Sequence, residues 1–423
     1  MTKKDKIILL ILIISFFFLR LYHFRQSLNF GSDQGLELLD IYNLYKSHKI
    51  TLIGPPSSFG VEGRYFFTGP ALYYIFMPIL VLSKWNPLTI SFFLIASQFI
   101  ILILLFKILK KVFQKSLTPY IFSLVYIISP TMVEYSRFFW NPNFLIPLSG
   151  LILYLLLSLK IDEKATHLKV FSIAFLLGLG LEIHYSFILA IALTLALLFL
   201  GKKLPIVNLF LLFLGFAIGF SPIIFFELRH NFYNLRTFIL FITQKSYQIP
   251  TQPALNYYFF PLVPFIILGA ALVLVKLKKI NKTIFFITLI AYTIWSFIRI
   301  LPTPKEGFTM AKGWNYQGIK NVEKLILSEK KDNYNIVDIL TGDTRALALR
   351  YLLTIDRKPP MNYTDYPHAD YLFIYSKVSL GQILKGSLWE IDSIKPVRLI
   401  KSWPIQNDIF LYEVTKTATP SSY

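Results

Sequence analysis

The chain has 423 residues, of which 55% are hydrophobic, and it carries a formal net charge of +20 and no cysteine. Its lysines and arginines lie in short clusters between apolar runs, which is typical of cytoplasmic membrane loops rather than of a nucleic-acid surface. The absence of cysteine excludes disulfides, thiol nucleophiles and cysteine-ligated metals.

The apolar runs start near the N-terminus and recur through Ile300. The first, from Ile7 to Tyr22, follows three lysines and has no small-residue cleavage site, so we interpret it as a retained helix rather than a signal peptide. Most of the later runs are long enough to cross the hydrocarbon layer. We therefore predict a multi-pass α-helical membrane protein with about nine spans, located in the cytoplasmic (plasma) membrane.

The basic clusters predict the orientation of these spans, because cytoplasmic loops are enriched in lysine and arginine. With the N-terminus inside, the cytoplasmic clusters are Lys107 to Lys115, Lys160 to Lys169, Lys202 with Lys203, and Lys276 to Lys282. The first outer loop is then 23–69. The stretch 71–83 is short and contains Pro78, so we interpret it as a juxtamembrane helix on the outer interface, which leaves a single crossing before Lys107.

A second juxtamembrane helix is predicted inside the first outer loop, from Gln34 to His48. Its apolar positions, Leu38, Ile41, Tyr42 and Tyr45, share one face at helical spacing. The charged positions, Glu37, Asp40 and Lys46, are predicted to face water. This pattern is typical of a helix that lies along a membrane surface.

After Leu301 the composition changes to that of an ordinary water-facing domain, so we divide the chain into a transmembrane catalytic domain, 1–301, and a small extracytoplasmic α/β domain, 302–423. The predicted elements of the second domain are helices at Tyr316 to Ser328 and Arg345 to Leu353, and strands at Asn335 to Leu340, Tyr371 to Tyr375 and Asp408 to Val414. Thr341-Gly342-Asp343 is interpreted as a strand-to-helix turn without a catalytic role. An odd number of spans places this domain outside.

Several short motifs of the predicted outer loops occur together and in order. They are Asn29 to Gly35, Gly54-Pro55-Pro56, Gly63 to Pro70, Tyr73-Tyr74, Tyr135-Ser136-Arg137 with Asn141-Pro142, and Gly180 to Tyr185. Together these motifs extend over roughly the first half of the chain. That half resembles the family 39-like polytopic glycosyltransferases of the C-type fold, which are related to protein O-mannosyltransferases and lipid A aminoarabinose transferases. At Thr68 that family often has a histidine.

The resemblance implies a C-type glycosyltransferase fold, a polyprenyl-phosphate sugar as donor and an inverting displacement. It also implies that the acid after the first helix is the catalytic carboxylate, which is Asp33 here. A positioned carboxylate is chemically suited to accept a proton from an acceptor hydroxyl as the hydroxyl attacks. The alternative for Asp33, or for the neighbouring Ser32, is to cap the helix that begins near Gln34.

Further outer residues are candidates for substrate binding. Arg64 and Arg137 could hold the donor phosphate bidentately, or they could extend to lipid head groups. Glu182, His184 and Tyr185 could line a substrate cavity, or they could form a tight outer hairpin that reaches water.

Glu37 lies four residues after Asp33 and shares its helical face. The repulsion between the two carboxylates could raise the pKa of one of them, or the pair could hold a divalent cation. A solvated position is the simpler interpretation of Glu37. The six histidines are scattered without His-x-x-x-His spacing, so no protein metal centre is predicted. No cofactor is expected, and a divalent cation remains the one open alternative.

The sequence therefore predicts a glycosyltransferase that transfers a sugar from a polyprenyl-phosphate donor to a hydroxyl acceptor on a protein, lipid or cell-envelope glycan. Its partners are the donor, the acceptor and the lipid bilayer, with no nucleic acid. The alternatives are a multi-pass transporter or flippase of a lipid-linked saccharide, and a receptor with an outer binding domain. Polar residues gathered at the outer boundary, rather than at mid-membrane, favour the enzyme.

Overall fold

The computed structural model of the chain describes residues 3–61, 63–161, 166–200, 205–243 and 255–417. The predicted cytoplasmic pair Lys202 with Lys203 lies outside these residues. The chain forms two compact units, of which the first comprises Met1–Tyr22 with Leu44–Leu301, and the second comprises His23–Asn43 with Pro302–Tyr423.

The described elements, in chain order, are mostly helices. The α-helices are α1 (Lys3–Leu21), α2 (Phe24–Ser27), α3 (Ser32–Ser47), α4 (Ala71–Leu82), α5 (Leu88–Val112), α6 (Thr118–Ile128), α7 (Pro130–Glu134), α8 (Asn141–Leu159), α9 (Thr166–Ile183), α10 (Ile188–Phe199), α11 (Ile206–Gly219), α12 (Ser221–Arg229), α13 (Tyr233–Thr243), α14 (Val263–Ile280), α15 (Lys282–Ile300), α16 (Tyr316–Glu329), α17 (Leu347–Ile355), α18 (Leu380–Lys385) and α19 (Trp389–Asp392). Short 3-10 helices occur at Tyr185–Phe187, Leu255–Leu262 and Tyr366–His368. The strands are β1 (Pro56–Val61), β2 (Arg64–Phe67), β3 (Tyr334–Asp338), β4 (Tyr371–Ser376), β5 (Val397–Gln406) and β6 (Ile409–Lys416).

Five described helices are long and apolar enough to cross a membrane, namely α5, α8, α9, Tyr257–Ile280 and α15. A sixth span arises if α11 and α12, which meet at a bend of 69°, are one broken span. These helices confirm the predicted multi-pass membrane protein, whereas the count of about nine spans stays a prediction. Helix α4 has 12 residues, which extend about 18 Å and fall short of a hydrocarbon core of about 30 Å.

Helices α9 and α11 pack closely because glycines face the partner backbone at several turns. A Cβ at Gly215 would lie 2.6 Å from the carbonyl oxygen of Phe171, and a Cβ at Gly219 would lie 2.1 Å from that of Phe175. No larger residue fits at such distances. Small residues allow this backbone approach, which supplies packing contacts where lipid provides no hydrophobic driving force.

The second unit is built on a four-stranded sheet with the order β3-β4-β6-β5. Strands β3 and β4 are parallel, and β6 is antiparallel to both β4 and β5. The buried core includes Val337, Leu372, Ile374 and Val414. All five predicted elements of this domain are present with ends shifted by a few residues, whereas strand β5 was missed because its side chains are mostly exposed and lack a clean apolar alternation.

Residues 23–43 pack with this α/β domain, although the predicted boundary grouped them with the membrane helices. The backbone N–H of Phe308 donates to the carbonyl of Ser27 at 3.1 Å. The side-chain amide of Asn29 donates to the hydroxyl of Thr309 at 2.8 Å. The first part of the outer loop and the α/β domain therefore form one compact unit, through contacts that are remote in sequence.

Candidate active site

Asp33 lies in the first turn of helix α3, which begins at Ser32. The side-chain oxygen of Gln34 accepts a hydrogen bond from the backbone N–H of Gly31 at 3.0 Å, as the third residue of a helix does in a capping box. Within the described residues, the exposed carboxylate of Asp33 makes no hydrogen bond. Gln34 therefore satisfies the backbone N–H of Gly31, and Asp33 makes no capping hydrogen bond.

Close backbone packing holds the start of helix α3 on helix α17 of the α/β domain. A Cβ at Gly35 would lie 2.3 Å from the backbone nitrogen of Ala348, a distance that real Cβ atoms do not reach. Just before the helix, the ring of Phe30 packs edge-on against Tyr316 and Tyr351, with centroids 5.4 Å and 6.4 Å apart. Asp33 is thus carried on a helix with a fixed support.

Burial and neighbouring carboxylates raise the pKa values of both Asp33 and Glu37. Burial of its surroundings raises the pKa of Asp33, and the negative charge of Asp343 raises it further. On the same helix Glu37 is only 5% exposed. Burial first, and then Asp33 and Asp40, raise the pKa of Glu37 to about 8.

The burial of Glu37 corrects the interpretation of this residue as part of a solvated face. A helix that rests on a single surface keeps its opposite face in water, but the burial of Glu37 shows that the charged face of α3 is also partly covered. At neutral pH a carboxyl group with a pKa of about 8 is mostly protonated and carries little charge. Such a group is a poor ligand for a divalent cation.

Glu182 joins the end of the first outer loop to the end of helix α9, within the first unit. Its carboxylate accepts a hydrogen bond from the backbone N–H of Ala71 at 3.1 Å. Its carbonyl accepts one from the backbone N–H of Gly69 at 2.7 Å. The carboxylate thereby satisfies an unpaired donor at the start of helix α4, where negative charge is favourable.

Tyr185 contacts the same outer loop at Phe67, the last residue of strand β2. Its hydroxyl donates to the carbonyl of Phe67 at 2.5 Å. The side-chain amide of Asn234 pairs with both backbone groups of Phe67, at 2.9 Å and 3.2 Å. Glu227 in turn accepts from the backbone N–H of Asn234 at 3.0 Å. The structure thus brings Tyr185, Glu227 and Asn234 together around the end of strand β2.

His184, next to Tyr185 in the chain, contacts the backbone of Ser186 and packs near the rings of Tyr257 and Tyr258. Its Nδ1 accepts a hydrogen bond from the backbone N–H of Ser186 at 3.2 Å, so the ring hydrogen of the neutral imidazole is on Nε2. The ring centroid lies 5.8 Å from that of Tyr257 and 6.0 Å from that of Tyr258. His184 therefore presents a single N–H donor in an aromatic setting.

The two predicted phosphate ligands have different surroundings. Arg64 is exposed at the start of strand β2. Arg137 is only 3% exposed, and its Nη2 donates to the carbonyls of Leu19 at 2.6 Å and Tyr22 at 3.0 Å. Arg137 thus binds the unsatisfied carbonyls at the end of helix α1, a position that favours a cation.

Arg20 was missed by the sequence interpretation, which treated Ile7 to Tyr22 as uniformly apolar. Its guanidinium is fully buried and donates to the carbonyls of Tyr126 and Ile127 at 3.4 Å and 3.3 Å. These carbonyls are at the end of helix α6. An arginine within an apolar run was the available signal, because such a residue requires a partner inside the protein.

An apolar cavity of about 600 Å³ opens beside Tyr185 in the first unit. Most of its lining is aromatic or aliphatic, including Phe66, Leu181 and Phe238. Glu227 and Asn234 contribute the polar part of its wall. A cavity of this size and character is suited to an apolar chain with a polar end.

Among the residues that the structure describes, no group of three histidine, aspartate or glutamate side chains could hold a metal ion. The divalent cation that Asp33 and Glu37 suggested stays a prediction.

The elements define a multi-pass helical membrane protein with a C-type glycosyltransferase fold, as the motifs of the first outer loop implied. The chain is similar to ArnT from Cupriavidus metallidurans, whose crystal structure contains undecaprenyl phosphate. The TM-score is 0.53 over 97% of each chain, and 10% of the aligned residues are identical. The chain matches no protein-family model and no curated protein. At this identity the similarity establishes the fold.

Proposed function

We propose that this protein is a membrane glycosyltransferase that transfers a sugar from a polyprenyl-phosphate donor to a hydroxyl acceptor on the outer face of the cytoplasmic membrane. The proposal rests on the fold shared with ArnT bound to undecaprenyl phosphate, over 97% of both chains. The exposed acid Asp33, at the position where the family motif has its catalytic carboxylate, supports the same class. Polytopic glycosyltransferases that use lipid-linked sugars combine these two features.

The reaction follows a single displacement at the anomeric carbon of the sugar. The acceptor oxygen forms a bond to that carbon while its proton passes to the carboxylate of Asp33. The bond from the carbon to the phosphate oxygen breaks, and its electron pair leaves with the polyprenyl phosphate. Attack opposite to the leaving group inverts the anomeric centre.

Asp33 is suited to the role of general base. Its carboxylate is exposed and makes no hydrogen bond within the described residues, so both oxygens are open to an acceptor. Its pKa is raised by burial of its surroundings and by Asp343. A carboxylate with a higher pKa is a stronger base, which favours proton transfer in the transition state.

The donor would be held in the first unit. Arg64 and Phe66 alternate with Tyr65 along strand β2, so their side chains leave the strand on the same face. Phe66 lines the apolar cavity beside Tyr185. We assign the isoprenoid chain to this cavity and the phosphate to Arg64, whose guanidinium can pair with two phosphate oxygens.

The remaining predicted residues have supporting roles in this assignment. His184 offers its Nε2–H to a phosphate or sugar oxygen, and Glu182 fixes the end of the first loop through Ala71. Arg137 already binds carbonyls of Leu19 and Tyr22, so we assign it a structural role at the end of helix α1 rather than a phosphate. The α/β domain would contact the acceptor outside the membrane, with the N-terminus of the chain inside.

The test is transfer from radiolabelled polyprenyl-phosphate sugars to endogenous acceptors in proteoliposomes. We expect Asp33→Asn to reduce the rate by about 10²- to 10⁴-fold, the usual contribution of a general base, while the donor still binds. Asp40→Asn removes a carboxylate from the same helix and should keep transfer. Full activity of Asp33→Asn, or no consumption of any donor on a broad panel, would exclude the proposal.

A further inference from the structure

Another cavity of the first unit, of about 760 Å³, is lined by residues of helices α1, α5 and α8. Its lining includes three lysines, Lys107, Lys110 and Lys111, together with Asp5 and Tyr154. Apolar side chains of helix α5 form much of the remaining wall. None of these residues lines the apolar cavity assigned to the isoprenoid chain. The first unit therefore has a separate cavity that combines positive charge with apolar walls.

This cavity lies at the ends of two apolar helices. Asp5 is in the first turn of helix α1, whereas the lysines are in the last two turns of helix α5. The carboxylate of Asp5 lies 3.4 Å from Nζ of Lys110, so the start of α1 meets the end of α5. Both ends therefore face the same side of the membrane, and the lysine cluster predicts that this side is cytoplasmic.

One of the three lysines is already balanced inside the protein. Nζ of Lys110 donates to the hydroxyl of Tyr120 at 3.0 Å, and that hydroxyl donates to Asp5. The same ammonium lies over the ring of Tyr120, at 4.9 Å from the ring centroid. Asp5 is only 6% exposed. Its negative charge therefore acts mainly on Lys110, and it compensates one lysine of the cavity.

The other two lysines are open to a ligand. Lys107 and Lys111 are four residues apart on helix α5, so they share one helical face. Both are exposed, and within the described residues neither makes a hydrogen bond or an ion pair. The hydroxyl of Tyr154, on helix α8, has no hydrogen-bond partner in that part of the chain either. The cavity thus presents two ammonium groups and a phenol hydroxyl.

We propose that this cavity binds the phosphate of an anionic phospholipid from the cytoplasmic leaflet. Lys107 and Lys111 are its cationic ligands, and Tyr154 donates a hydrogen bond from its hydroxyl. The observation behind the proposal is a cavity with two lysines that no acid balances among the described residues. Basic pockets between transmembrane helices on the cytoplasmic side suit acidic lipid head groups. The proposal concerns a site outside the sugar-transfer reaction.

The surroundings favour a lipid over a free anion. The wall of the cavity includes Leu104, Phe106 and Ile108, which offer apolar surface beside the charged groups. A phospholipid fills both parts, since its phosphate meets the lysines and its acyl chains cover the apolar wall. A zwitterionic phospholipid also brings an ammonium group, which the two lysines repel. The charge of the cavity should therefore select an anionic head group.

The test is native mass spectrometry of the detergent-solubilised full chain with phosphatidylglycerol or phosphatidylcholine added. We expect the protein to retain phosphatidylglycerol in preference to phosphatidylcholine. Lys107→Gln combined with Lys111→Gln should weaken the phosphatidylglycerol affinity by about 10- to 30-fold, the usual contribution of two lysines near an anionic head group. The matched control is Lys276→Gln combined with Lys279→Gln, which removes two exposed lysines from helix α14, outside the cavity.

Two further variants separate this cavity from a general attraction of lipid to positive charge. Tyr154→Phe keeps the ring and every charge, and it should weaken binding by about threefold or more, because the phosphate loses one hydrogen bond. Asp5→Asn removes the carboxylate that balances Lys110, so it should strengthen binding by about threefold or more. General attraction predicts no change for Tyr154→Phe.

The Tm of each variant shows whether it is folded. Lys107→Arg combined with Lys111→Arg keeps both charges and should retain the lipid. If the glutamine pair does not fold, Tyr154→Phe and Asp5→Asn decide the matter, because neither removes an exposed lysine. Unchanged affinity in both of these variants would overturn the inference.

Other results would overturn it as well. Equal retention of the two lipids, or equal losses for the two pairs of lysine variants, would show that the cavity does not select a head group. Displacement of phosphatidylglycerol by inorganic phosphate would identify a site for a free anion instead of a lipid. None of these measurements uses sugar transfer, so their outcome is independent of the proposed function.

Discussion

Replacement of Gly35 by alanine should separate helix α3 from helix α17. The new Cβ would lie 2.3 Å from the backbone nitrogen of Ala348 and 2.4 Å from the backbone carbon of Leu347. Because both neighbours are backbone atoms, neither can turn away as a side chain does. The helix must therefore retreat by about 1 Å to reach ordinary contact distances.

The expected magnitudes follow from this displacement. Alanine favours a helix over glycine by about 1 kcal/mol, while overpacking costs about 1–3 kcal/mol. The free energy of unfolding should fall by at most about 2 kcal/mol, so the protein remains folded. A catalytic group moved by about 1 Å loses about 10²-fold in rate, so transfer should suffer far more than stability.

The assay pairs the transfer rate in proteoliposomes with the Tm of the purified protein. Gly381→Ala is the matched control, since it is a helical glycine of the same unit with no atom within 4 Å of the added Cβ. That control should keep full activity and gain slightly in Tm. Gly35→Ala with native activity and native Tm would refute the idea that this contact positions Asp33.

Two further predictions concern buried charged groups. Because Glu37 has a pKa of about 8 in the folded chain, well above the usual value of a glutamate, the folded state binds more protons than the unfolded state between these two pKa values, and stability is lost as the pH rises through this window. Glu37→Gln should therefore match the native Tm near pH 5 and exceed it near pH 9, and parallel Tm curves over that range would contradict the assignment. Arg137→Lys should lower the Tm with little change in donor affinity. The Nη2 of Arg137 binds the carbonyls of Leu19 and Tyr22, and a lysine ammonium cannot reproduce the planar geometry of the guanidinium. Reduced donor affinity at an unchanged Tm would show that Arg137 is a phosphate ligand.

The sequence predicted those features that depend on local patterns. Apolar runs, lysine clusters and the alternation of helix and strand after residue 302 were sufficient for the class of membrane protein and for most elements of the α/β domain. The ordered motifs of the outer loops were sufficient for the fold, which the similarity to ArnT confirms. Asp33 was identified through those motifs and remains a prediction.

Contacts between distant parts of the chain account for what was missed. Nothing near Glu37 in the sequence shows that its side chain would be buried, with only 5% exposed. Nothing near Ala348 shows that its backbone would meet Gly35, about three hundred residues earlier. Arg20 was the exception, because a lone arginine in an apolar run is visible in the sequence and indicates an internal partner.

The packing of residues 23–43 gives the α/β domain a role in positioning Asp33. Ser27 and Asn29 are tied to residues 308 and 309, Phe30 packs on Tyr316, and Gly35 touches Ala348. These contacts occur on both sides of the acid along the chain, and all of them are made by the α/β domain. The α/β domain, which the sequence predicted as a separate domain after residue 301, therefore positions the proposed base. A domain that fixes the base and also contacts the acceptor would let acceptor binding and proton removal depend on the same small set of contacts.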